Sequence, residues 1–220
     1  MDAVNVQSAA AVERRGWEVW LRWVIYTTLG YFIIGAVTIA VFQFTPVGLF
    51  LSPVAGTLGM VVVGLLQWTV LQRSIRDMRW LGWVLAAVLG QFVGAIMATI
   101  VAILLAPLIY TMLGDSGEIL GGPAVQFGNL LVAGTVLGTV IGFIQWLVLR
   151  RYLQAAAWWI PAMAVAMAIT SVVSMPWPAS VGIGGLMAVP LTKGLTGIIV
   201  GAITGIALVW LLRKKDVPSV

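Results

Sequence analysis

Charge is confined to a few short clusters, and the gaps between them are long. No Asp, Glu, Lys or Arg occurs in 23–72, 80–114, 119–149, 152–192 or 194–212. A helix that crosses a bilayer needs about 20 mostly apolar residues. The first gap is long enough for two crossings, and Phe44-Thr45-Pro46-Val47-Gly48 is its natural break. The pattern predicts six spans, near 22–43, 49–72, 80–106, 124–149, 156–175 and 191–212. Composition excludes the other classes. The chain is 61% hydrophobic and 9% charged, with a mean hydropathy of +1.08, whereas soluble domains carry about 25% charged residues. Disordered chains are polar and charge-rich. Cysteine and histidine are both absent, which removes disulfides, thiol chemistry, zinc sites, histidine-ligated haem and every triad that needs an imidazole.

The charge clusters also set an orientation. Arg14, Arg15 and Arg22 precede the first span, Arg73, Arg76 and Arg79 fill the second connection, Arg150 and Arg151 the fourth, and Arg213, Lys214 and Lys215 follow the last span. With six spans, eleven of the twelve basic residues fall on one face. Positive residues are retained on the cytoplasmic side, so both termini are expected there, in a bacterial inner membrane. The net charge of +5 is then a matter of topology and anionic headgroups, with no nucleic-acid partner. The expected organisation is a polar N-terminal segment 1–16, a single transmembrane domain 17–215 and a tail 216–220. The segment 1–16 has no apolar core, so it is not read as a cleavable signal.

Ten of the eleven tryptophans lie at span ends beside the basic clusters. Trp23, Trp68, Trp83, Trp146 and Trp159, with Arg73, Arg150 and Arg151, are therefore expected as interface anchors, each indole half-buried at headgroup depth. Prolines show the opposite bias. Pro46, Pro53, Pro107, Pro123, Pro176, Pro178 and Pro190 are expected in or near the outer connections.

The chain also repeats itself. Gly64-Leu-Leu-Gln-Trp-Thr-Val-Leu-Gln-Arg73 matches Gly142-Phe-Ile-Gln-Trp-Leu-Val-Leu-Arg-Arg151 at six of ten positions. A weaker copy, Gly205-Ile-Ala-Leu-Val-Trp-Leu-Leu-Arg-Lys214, has Leu208 in place of the glutamine. Among the odd spans, Trp23 and Gly30 correspond to Trp83 and Gly90, and Trp158-Trp159 opens a third copy with Ala166 at the glycine position. Three helical hairpins are expected, over about 15–73, 77–151 and 154–214. Two crossings per unit make the repeats parallel, with any axis along the membrane normal.

Glycine rows suggest how the hairpins pack. Gly134, Gly138 and Gly142 in the fourth span have counterparts in Gly197, Gly201 and Gly205 of the sixth. Residues four apart share a helix face, and a glycine row lets another backbone approach closely. The even spans are accordingly expected to form the inner wall, and the odd spans, with Phe32, Ile33, Ile34 and Phe92, to face lipid or partners.

Little points to chemistry. An ionisable residue inside a span is a functional candidate by default; the span interiors contain no Asp, Glu, Lys or Arg, and Lys193 is the nearest exception. It is placed at the outer end of the sixth span. There its stem either snorkels the amine to the headgroups or serves an anionic ligand opposite Asp115 or Glu118. Gln67 and Gln145 recur beside a tryptophan, either as interhelical hydrogen-bonding groups or as contacts to a lipid headgroup, quinone or pigment. Gln91 and Asn129 are further amides of the same kind. Phosphate loops, nucleophile elbows, metalloprotease helices and dinucleotide fingerprints are absent from the sequence, so no catalytic residue and no metal site are expected.

The Gly-x-x-Gln-Trp-x-Val-Leu-x-Arg units at 64–73 and 142–151, with the tryptophan–glycine half-repeats at 23–30 and 83–90, resemble an uncharacterised class of bacterial polytopic membrane proteins. These are built of repeated hairpins ending in Gln-Trp-Leu-Val-Leu-Arg-Arg. The resemblance implies an inner-membrane location and no particular activity. The expected function is a non-enzymatic structural or accessory subunit packed within a larger membrane complex, with membrane lipids and other subunits as partners. No cofactor is predicted, though bound lipid, quinone or pigment is compatible with the amides. The alternative is a small-molecule transporter or substrate-capture component, which a cavity lined by Gln91, Asn129 and Lys193 would favour and a closed, tightly packed centre would oppose.

Overall fold

The computed structural model describes residues 3–44, 48–75, 77–113, 123–174 and 183–215, with side chains at 16–41, 56–75, 77–112, 124–174 and 188–214. The chain is helical throughout these segments: α1 (Ala3–Phe44), α2 (Gly48–Ser74), α3 (Trp80–Leu113), α4 (Pro123–Leu149), a 3₁₀ turn (Ala156–Trp158), α5 (Trp159–Val173) and α6 (Ile183–Lys215). Five helices are long and apolar enough to cross a membrane, over Gly16–Val41, Trp80–Met112, Ala124–Leu149, Ala156–Val173 and Ala188–Lys214. That makes this a helical membrane protein; α2, of 27 residues, packs between α1 and α3.

Three boundaries differ from expectation. Helix α1 starts at Ala3, so most of the segment expected as a polar leader continues the first span as helix. Its Ala9-Ala10-Ala11 run is strongly helix-forming and contains no breaker. Helix α3 runs through Pro107 to Leu113, and α6 begins at Ile183 and runs through Pro190. These two prolines, expected in connections, lie inside helices, where one missing N–H is tolerated in an otherwise apolar run. Pro123 opens α4, a position whose N–H has no intrahelical partner anyway.

The helices form a closed ring in which each touches its neighbours in chain order and α6 returns to α1. Neighbours run antiparallel. Gly30 meets Val63 while Gly59 meets Ile34, across α1 and α2; Gly90 meets Ile141 and Gly94 meets Leu137, across α3 and α4. The glycine rows sit where the ring is tightest. A Cβ on Gly138 would lie 2.5 Å from Met163 O and 2.8 Å from Ala164 Cα, on α5. One on Gly197 would lie 2.6 Å from Thr28 Cα, and one on Gly201 2.9 Å from Val24 Cα, both on α1. On α2, Gly64 faces Val84 of α3. Gly64, Gly138, Gly197 and Gly201 thus each lie against the backbone of the next odd helix, and Gly134, Gly142 and Gly205 continue the seams of α4 with α5 and α6 with α1.

The odd helices are not a peripheral layer. Ile34, expected to face lipid, is buried, whereas Phe32 and Phe92 are exposed. Trp23, Trp83 and Trp159, one from each odd helix, meet at the centre of the ring with no exposed surface. Their centroids are 6.3, 5.8 and 6.0 Å apart at interplanar angles of 63°, 82° and 67°, all edge-to-face. Aromatic pairs favour this geometry because the positive ring edge meets the negative face. These three indoles are thus fully buried, not half-buried as expected. Burying such large rings together removes more apolar surface than leaving each at an interface.

Candidate ligand cavity

The tryptophan cluster closes the bundle toward its arginine end. Trp23 donates its indole N–H to Thr204 Oγ1 at 2.9 Å, and Trp159 donates to Gln145 Oε1 at 2.8 Å. Around them Val70, Leu71, Ile75, Met78, Leu149, Leu153, Leu208 and Leu211 complete a continuous buried core.

Toward the opposite end the packing opens. A cavity of about 190 Å³ is lined from all six helices, by Tyr31 and Ile34 of α1, Gly56 and Met60 of α2, Gln91 of α3 and Leu137 of α4. Met167, Thr170 and Ser171 of α5, Ser174 at its C-cap, and Lys193 and Thr196 of α6 complete the wall. Its polar groups cluster on α5 and α6. Ser174 Oγ and Thr196 Oγ1 are 3.2 Å apart, Thr196 donates to Thr192 O at 3.0 Å, and Thr170 donates to Met167 O at 3.1 Å. The last two bonds tie the hydroxyls to their own helices and leave oxygen lone pairs in the wall.

Lys193 gives this cavity its electrostatic character. It lies near the start of the Ala188–Lys214 span, on a helix that itself begins earlier, at Ile183. Its stem runs against α1, where a Cβ on Gly35 would meet Lys193 Cβ at 3.1 Å and Cγ at 3.2 Å. Among the described side chains no carboxylate lies within 4.0 Å of its amine, the one ion pair being Arg22 with Glu18. A cation in such a place is unfavourable unless something pairs with it. Asp115 and Glu118, its expected counterparts, lie outside the described residues.

The other candidate residues are placed as follows. Gln91 lines the cavity with Lys193, but Asn129 does not. Asn129 Oδ1 is buried without a hydrogen-bond partner. Gln67 and Gln145 are both in the core, where Gln67 Nε2 donates to Thr27 Oγ1 at 3.2 Å. Neither lines the cavity, so both amides serve helix contacts. Trp68 donates to Met78 O at 3.2 Å, and Trp146 lies under the Arg150 guanidinium at 5.1 Å; both are partly buried. Arg73, Arg150 and Arg151 are exposed at the arginine end. Sequence reasoning missed Tyr31, Thr170, Ser171, Ser174 and Thr196. Small hydroxyl residues on apolar helices carry no signal until the helices are assembled. Among the described residues no group of three or more acidic residues could hold a metal ion. The chain matches no family model, no curated protein and no solved structure.

Proposed function

We propose that this chain is a non-enzymatic, multi-pass protein of a bacterial inner membrane that captures a small anion in its axial cavity. On this reading α2 also crosses the membrane and brings the spans to six, three parallel hairpins surround an axis along the membrane normal, and both termini are cytoplasmic. The arginine clusters then face the cytoplasm, and the cavity lies in the outer half.

One observation carries the reading: Lys193, without a described carboxylate partner, lines a cavity whose other polar groups are an amide and hydroxyls. The Lys193 ammonium, the Gln91 amide N–H and the Tyr31 and Ser171 hydroxyls can donate hydrogen bonds to an occupant, whereas Thr170 and Thr196 donate theirs to their own helices. The volume of about 190 Å³ is below the ~300–1,000 Å³ of sites for drug-sized ligands, so the occupant is a small oxyanion, halide or carboxylate. This favours substrate capture over an accessory subunit. The apolar outer surface that suggests subunit packing is accounted for equally by lipid.

The test is thermal unfolding of the detergent-purified protein in chloride, phosphate and acetate, each against a matched ionic-strength control. A ligand at 100 times its Kd stabilises by about 2.7 kcal/mol. At least one anion should raise the melting temperature of the parent and leave Lys193→Gln unmoved. Equal responses of parent and variant, or no response to any anion, would overturn the proposal.

A further inference from the structure

A second cavity lies at the arginine end, on the outside of the ring between α1 and α6. It has a volume of about 540 Å³ and is walled by Trp17, Trp20, Val209 and Trp210, with Gly16 and Arg213 at its edge. Its position follows from the connectivity. The seam between α2 and α3 is plugged at this end by the connecting turn, through buried Ile75 and Met78. The seam between α4 and α5 is plugged by Leu153 and Ala156 of its own connection. Among the described side chains the seam between α6 and α1 has no such plug at this end, and the groove lies there.

The walls are ordered for an amphiphile. Trp17 and Trp20 stack at 4.7 Å, and Trp20 is fixed by donating its N–H to Ala202 O at 3.1 Å. The Lys214 amine lies 4.3 Å from the Trp210 ring centroid, beside the groove. The Arg213 guanidinium crosses α1 at Gly16, where a Cβ would sit 3.1 Å from Nη2. Among the described side chains no carboxylate lies within 4.0 Å of Arg213. Apolar, aromatic walls below the Arg213 guanidinium suit one acyl chain and one phosphate, since arginine binds phosphate oxygens in a bidentate manner.

We propose that this groove is a binding site for one anionic glycerophospholipid, its headgroup phosphate on Arg213 and an acyl chain against Trp20, Val209 and Trp210. The lipid completes the α1–α6 seam at this end. This requires only that the bundle spans a membrane, and does not depend on the anion cavity.

Native mass spectrometry of delipidated protein, titrated with phosphatidylglycerol or phosphatidylcholine, tests it. The parent should bind one phosphatidylglycerol about fivefold or more tighter than phosphatidylcholine, as one basic residue near anionic lipid provides. Arg213→Gln should erase that preference, and Val209→Trp should fill the groove and weaken both lipids. Arg151→Gln, an exposed arginine elsewhere at the same end, should bind as the parent does. Equal affinity of the parent for the two lipids would overturn the site, as would an unchanged preference in Arg213→Gln. A dimer appearing in place of a lipid adduct would assign the groove to a second copy and overturn it too.

Discussion

Trp159 donates its indole N–H to Gln145 Oε1 across 2.8 Å, and both side chains are wholly buried. One hairpin earlier, the corresponding groups are Trp83 and Gln67. There Trp83 Nε1 and Gln67 Oε1 are both buried without a partner. In the third copy the glutamine is Leu208, and Trp23 turns to Thr204 instead. Three aligned tryptophans therefore meet three different polar environments around one centre.

This asymmetry predicts unequal glutamine substitutions. Gln145→Leu orphans the Trp159 N–H and should cost about 1–3 kcal/mol. Gln67→Leu loses only the bond to Thr27 and removes an unpartnered carbonyl oxygen, so it should cost less, or nothing. Detergent unfolding of the two variants gives the comparison; a larger loss in Gln67→Leu would contradict it.

The central rings should be far more sensitive than the peripheral ones. Trp83→Ala leaves a cavity in the core, and such truncations cost about 3–5 kcal/mol. Trp17 is 60% exposed, and its replacement by alanine should fall within about 0.5 kcal/mol of the parent. The same melting assay distinguishes them.

Much of this arrangement was legible before the structure. The charge-free gaps marked the helices, and the four-residue glycine spacing marked where backbones approach closely. The burial of the central tryptophans was misread because nearness to arginine in sequence was taken to mean an indole half open to its surroundings. The corrective signal was present. Trp23 precedes Gly30 by seven residues, as Trp83 precedes Gly90 and Trp159 precedes Ala166. Residues seven apart share a helix face, and Gly30 and Gly90 are packed on α2 and α4. A ring on that face must point into the bundle. The cavity was half legible, through Gln91 and Lys193, but its hydroxyl wall required the assembled ring.

Glycine substitutions should separate close contacts from open ones. Gly138→Leu and Gly201→Leu drive a side chain into a neighbouring backbone and should cost about 1–3 kcal/mol or more. Val136→Leu, off the glycine row, should be mild. Gly82 has no heavy atom within 4 Å of a built Cβ, so Gly82→Ala should stabilise by about 0.4–1 kcal/mol through the unfolded chain. Thermal scans in detergent rank all four.

Accessibility in intact cells tests the orientation. Ser74→Cys and Gln154→Cys, in the arginine-end connections, should resist an impermeant thiol reagent, whereas Ser116→Cys should react with it. Because the chain has no native cysteine, any labelling reports the introduced site alone. Reaction at Ser74→Cys would reverse the proposed topology.

The three buried tryptophans close the bundle beneath the cavity. On the proposed reading, a solute held beside Lys193 rests above a floor of mutually locked rings, and its exchange is governed by how tightly the cavity binds it. Passage across the membrane would require all three odd helices to withdraw their rings together, breaking the Thr204 and Gln145 hydrogen bonds in the same motion.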